Sequence, residues 1–173
     1  MAERDIVIMQ ENASGVFAWR TLPLSADTPY LLRVNPSGVL TAEQVYFGHV
    51  VGVGADYAIT NAFARVDFGT TDIDAALPAA GTYMIGAMVQ VLNGALTNDH
   101  YELKLRDITA GADVPGSLAS LVVGVANEES NVMLTAPLTV TQATTIQVFV
   151  QNTVGARGSV IAAESSIWFH RIA

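Results

Sequence analysis

The sequence has no cysteine and, among its 173 residues, a single lysine, Lys104. The first absence excludes disulfides and thiolate metal centres as sources of stability. The second leaves 8 basic residues against 16 acidic ones, so no strip of cations is available to follow a phosphate backbone, and nucleic acid is not an expected partner. A formal charge of −8 also weakens any attraction to anionic lipid. Nowhere do eighteen apolar residues run unbroken, and Met1–Asp5 is not a basic segment leading into a long apolar stretch. The expectation is a soluble chain made in the cytoplasm, with no membrane insertion.

What is present is apolar and rhythmic. Hydrophobic residues make up 51% of the chain and charged ones 14%, which separates it from a disordered acidic tail and predicts a packed core. The rhythm is two, not 3.6. In Tyr101–Arg106, Tyr101, Leu103 and Leu105 point one way while Glu102, Lys104 and Arg106 point the other, the pattern of an antiparallel strand with one wet face. Across 131–141, Val132, Leu134, Ala136, Leu138 and Val140 form an inward set, and Pro137 on the other parity places the strand at an edge or a bulge. Across 144–151, Ile146, Val148 and Val150 face the core and Thr145, Gln147, Phe149 and Gln151 face away. Further strands are predicted over 44–51, 63–68, 82–91, 118–125 and 166–172, with turn-rich segments such as Pro78–Gly81, Ala110–Gly116 and Asn127–Asn131 between them. Strand and turn repeat every ten to fifteen residues, the spacing of a sandwich or barrel.

The first forty residues differ. Short apolar pieces at Ile6–Met9, Val16–Trp19 and Tyr30–Val34 are separated by Asn12–Gly15, Pro23, Pro29 and Asn35–Gly38, and none is long enough to build its own core. Two readings stand: an extended arm over residues 1–43 that pairs with the domain or with a neighbouring protein, or an N-terminal hairpin packed on the sandwich of residues 44–173.

From residue 44 onward, the succession of strands resembles the compact jelly roll of the tumour-necrosis-factor and complement C1q superfamily. The segments that carry the resemblance are Gly81–Val89, Leu138–Asn152 and the closing Ser165–Ala173. Phage proteins similar to this one serve as capsid decoration proteins, head fibres or tail-fibre tips, and Asp5–Gly15 looks like the virion-anchoring start of such proteins. The resemblance implies an all-β antiparallel jelly-roll β-sandwich that forms a homotrimer, one sheet of each protomer turned toward the threefold axis. It implies a non-enzymatic bacteriophage structural protein at the virion surface, a capsid decoration (cement) or head-fibre protein bound to the major capsid protein or another virion protein. The alternative is a receptor-binding tail-fibre tip that recognises host glycan or protein. Trimer-interface candidates are Phe149, an aromatic on an otherwise polar face, Trp168 and His170 on the last strand, and Tyr83. For each the competing reading is a lid over the sandwich core. Capsid-anchoring candidates are Ile6, Val7, Ile8, Met9, Phe17 and Trp19.

Chemical alternatives find little in the sequence. No Gly-x-Ser-x-Gly elbow occurs, and His49, His100 and His170 form no His-x-His or His-Glu-x-x-His pair. Gly48–Gly54 has the glycines of a phosphate loop without its lysine, so a bulged strand is the better expectation. Asp72 and Asp74 fall short of a calcium ligand set, and Glu102 with Asp107 or Glu128 with Glu129 are carboxylate pairs without a cleft. Asn12–Ser14 is a formal glycosylation sequon. The sequence therefore predicts neither a cofactor, nor a metal, nor a catalytic centre.

Overall fold

β-Branched and aromatic residues at alternate positions, broken by Gly, Pro and Asn clusters, give a chain built only of strands. The computed structural model describes residues 46–95 and 98–172 in full, and before them the backbone of four strands. Among the described residues there is no helix. The four early strands are β1 (Ile6–Glu11), β2 (Phe17–Leu22), β3 (Tyr30–Val34) and β4 (Leu40–Gln44), paired antiparallel as β1 with β2 and β3 with β4. The segment expected to be an extended arm is thus two antiparallel strand pairs. It forms one compact unit, residues 1–46, and residues 47–173 form the other.

The second unit carries eight main strands: β5 (Phe47–Val51), β6 (Asp74–Leu77), β7 (Gly81–Leu92), β8 (Asp99–Asp107), β9 (Ala119–Val123), β10 (Glu129–Val140), β11 (Thr144–Asn152) and β12 (Ser166–Arg171). They make two antiparallel sheets. The first has the order β5-β12-β7-β10 and the second β6-β11-β8-β9, with two-residue bridges at Ala64–Arg65, Ala112–Asp113 and Ser159–Val160 added to them. The architecture is all-β and sandwich-like.

Alternation assigns the core. Tyr101, Leu103 and Leu105 of β8, Ile146, Val148 and Val150 of β11, and Val132, Leu134, Ala136 and Val140 of β10 are all buried, as the two-residue rhythm requires. β7 adds Tyr83, Ile85, Ala87, Val89 and Val91 from the other sheet. Pro137 sits on β10, whose described ladder runs to β7 alone, so its missing N–H interrupts no second ladder.

The glycine-rich Gly48–Gly54 stretch serves packing. A Cβ at Gly48 would collide with the Phe169 ring and one at Gly52 with the Phe68 ring, so the backbone lies directly against two aromatic side chains. At Val53–Gly54 the pairing with Gly69–Thr71 shifts register, the bulge that the sequence favours over an anion loop.

Candidate interaction surfaces

Each sheet turns a second face outward, and the two faces differ in chemistry. On β6-β11-β8-β9 the outward parity carries Asp74, Gln147, Arg106, Lys104, Glu102, Gln151 and Phe149, joined by Arg65 from the Ala64–Arg65 bridge. Most of these groups pair with one another, Asp74 Oδ1 and Arg65 Nε excepted. Arg65 pairs with both Asp72 and Asp74, and Gln147 Nε2 donates to Asp74 Oδ2 at 2.9 Å. Lys104 Nζ and Arg106 Nη1 converge on Asp113 at 2.7 and 2.9 Å, and Gln151 Nε2 donates to Glu102 at 2.7 Å.

Aromatic rings on this face are covered by the same cations. Lys104 Nζ lies 4.0 Å from the centre of the Phe63 ring, and the Arg106 guanidinium 5.7 Å from that of Phe149. The lone aromatic at 149 therefore has partners within its own chain, and its half-buried state follows from them. Two carboxyl groups respond in opposite senses. Burial, with Oδ1 lacking any hydrogen-bond partner, pushes the Asp74 carboxyl up despite its bonds to Gln147 and Arg65; the Lys104 hydrogen bond, with Arg106 beside it, holds Asp113 below the usual carboxylate range. An open cavity of about 390 Å³ lies against Phe63, Lys104 and the Asp113–Leu118 loop.

The outward face of β5-β12-β7-β10 is composed otherwise. Cross-strand register sets three rows: Phe47, His170, Met84 and Pro137; His49, Trp168, Gly86 and Thr135; Val51, Ser166, Met88 and Met133. None of these twelve positions is Asp, Glu, Lys or Arg. Phe47 is 64% exposed and Met133 68%, at opposite margins of the face; Val51, on the same edge strand as Phe47, and Met88, on β7, are exposed as well. The Trp168 indole lies across Gly86, where any Cβ would meet the ring, so the tryptophan is half-buried against the sheet it belongs to. His170 is exposed, next to Phe47 and Met84 in register.

The sequence-derived candidates thus separate. Trp168 and His170 lie on the uncharged face and Phe149 on the charged one. Tyr83 presents no surface: it is 0% exposed, packs edge-on against Phe169 at 6.0 Å, and donates its hydroxyl to the Ala79 carbonyl at 3.0 Å. Its place is the protomer's own core. Ile6, Val7, Ile8 and Met9 lie on β1, and Phe17 and Trp19 on β2, with Met9 opposite Trp19; their side chains, like the Asn12–Ser14 sequon, lie outside the described residues. Sequence reasoning missed Phe47, Val51, Met88 and Met133, which no local pattern joins.

At one end of the second unit a polar network ties the connections together. Asp99, fully buried, receives Arg157 Nε at 3.0 Å; the Tyr101 hydroxyl donates to Asn93 Oδ1 at 2.8 Å, and Asn93 Nδ2 to the Val125 carbonyl at 2.6 Å. Burial pushes the Tyr101 hydroxyl up. These bonds tie together the ends of β7, β8 and β11.

The remaining chemical candidates are occupied structurally. Asp72 and Asp74 hold Arg65; Asp107 accepts Thr109 N, Ala110 N and the Thr144 hydroxyl, all at Oδ1; Glu129 accepts Gln90 Nε2 at 2.7 Å. Among the described residues no group of three or more His, Asp or Glu is placed to hold a metal ion. No protein-family model matches the chain, and no curated protein matches it.

Proposed function

We propose that the chain is a non-enzymatic structural protein of a bacteriophage virion, a jelly-roll sandwich that acts as a homotrimer and attaches through its N-terminal unit, as a capsid decoration or head-fibre protein. The observation that supports this reading is the pairing order. Counting the eight main strands from one to eight, the sheets run 1-8-3-6 and 2-7-4-5, the order produced when two Greek keys wrap into a jelly roll, an architecture of viral capsid and lectin domains. Two further features agree with it. Residues 1–46 form a unit of their own, suited to engaging a shell protein while the sandwich caps it. Most polar groups of the charged face are spent on one another, which suits a scaffold better than a reaction centre.

A labelled antibody against the full chain tests the assignment on virions of the phage that makes it. Many copies over the head surface are expected; label confined to the tail, or none on the particle, overturns it. The cavity beside Phe63 and the Asp113–Leu118 loop favours one rival, a receptor-binding tail tip. In that case label falls on the tail and saturable binding of the isolated chain to host-surface glycan or protein is lost in Phe63→Ala.

A further inference from the structure

We propose that the uncharged outer face of β5-β12-β7-β10 is where copies of this chain meet, with Phe47, Val51, Met88, Met133 and Trp168 as the buried contact. The inference rests on the homo-oligomeric reading above and assigns it a face. Three observations carry it. The first is contrast: on the opposite sheet the rings of Phe63 and Phe149 lie under cations and the large bare side chain of its outer parity is Val122 at the β9 edge, whereas here Phe47, Val51, Met88 and Met133 are exposed together, Phe47 and Met133 by almost two-thirds. A contiguous apolar patch left bare on a face without charges marks an interface.

The second is charge. A chain with 16 acidic and 8 basic residues repels its own copies over most approaches. The three rows hold no carboxylate and no lysine or arginine, and the carboxylates that border them, Glu129 on Gln90 and Glu164 beside His49 and Val51, stand at the rim, so two copies can close on these rows without setting like charges together. The same neutrality gives a strongly charged partner nothing to recognise.

The third is extent. With strands about 4.8 Å apart and same-face residues about 6.8 Å apart, three rows across four strands cover roughly 400 Å². The flanking positions Thr82, Thr139, Gln90 and Asn131 continue the face, bringing each copy to roughly 520 Å² and a contact between two copies to about 1,050 Å², just past the roughly 1,000 Å² that a specific interface must clear. Composition fits as well: methionine and aromatic residues, which interfaces favour, alternate here with threonine, serine and histidine and with no lysine or carboxylate among them.

The test compares the molar mass of the intact chain in solution with that of Phe47→Glu, Met133→Glu and, as a control of matched exposure, Val122→Glu, which is 67% exposed on β9 of the other sheet. Circular dichroism verifies that each variant folds. The proposal expects the wild type at a multiple of 18.3 kDa, three copies giving about 55 kDa (3 × 18.3), a shift of both face variants to 18.3 kDa, and no change in the control. Two results overturn it separately. If the wild type is oligomeric and only Val122→Glu dissociates it, the face is wrong while the oligomeric reading survives. If the wild type is monomeric, both fail, and flotation with neutral phosphatidylcholine vesicles then tests a lipid surface as the occupant instead.

Discussion

The two outer faces of the sandwich unit are built by the same rule and finished differently. Both belong to four-stranded antiparallel sheets whose inner parity is apolar, and in both the outer parity is free to be polar. On β6-β11-β8-β9 it is: Arg65, Lys104 and Arg106 neutralise Asp72, Asp74 and Asp113 and cap two phenylalanine rings. On β5-β12-β7-β10 the outer parity stays uncharged, with tryptophan over glycine at its centre and Phe47 and Met133 exposed at its margins.

The largest effects are expected where the faces do not differ. Leu103→Ala on one sheet and Ile85→Ala on the other each empty a fully buried site, and each should cost about 2–5 kcal/mol in chemical denaturation. A loss confined to one of the two would mean that the sheets do not share a core. Next is Gly86→Ala. The added methyl occupies the space of the Trp168 indole, which should cost about 1–3 kcal/mol and shift tryptophan emission to longer wavelength as the ring is driven off. Unchanged emission contradicts the placement of that ring.

Smaller effects belong to the charged face. Asp113→Ala releases Lys104 and Arg106 together, yet the pairs are solvent-screened, so a loss of about 0.2–1 kcal/mol is expected, with no change in molar mass. The smallest effect is in pH dependence, where the two perturbed carboxyls oppose each other. Asp113 is held low, so its contribution is present above the ordinary carboxylate range and is lost as pH falls through the lowered value. Asp74 is raised by burial, so its contribution is present at low pH and is lost as pH rises through the raised value. Acid titration of stability should therefore decline less steeply in Asp113→Asn and more steeply in Asp74→Asn than in the wild type; the same slope in all three refutes the assignment.

The inner faces were readable from the chain because alternation is a local property: Tyr101-Leu103-Leu105 and Ile146-Val148-Val150 are each set by their own strand, and Pro137 announces an edge by what it cannot donate. β7 was harder. Thr82–Val91 is apolar on both parities, so the pattern cannot say whether Tyr83 or Met84 points inward, and Tyr83 proves to be core. The surroundings of Phe149 were hidden for a different reason: the cation over its ring comes from the neighbouring β8, and register is invisible in a single strand. The uncharged face was legible least, because Phe47, Met88, Met133 and Trp168 come from four strands spread over more than 120 residues and meet only through pairing. Within residues 1–46, runs of apolar residues separated by Asn/Ser/Gly and Asn/Pro/Ser/Gly signals admit hairpins as readily as an arm, and paired strands are what form.

Hydroxyl-radical footprinting of the intact chain across a dilution series tests the difference between the faces most directly. Phe47, Met88 and Met133 should be protected at high concentration and become reactive together on dilution, while Leu118 and Val122 react equally throughout. Reactivity of Phe47 and Met133 that is high and independent of concentration would contradict the account.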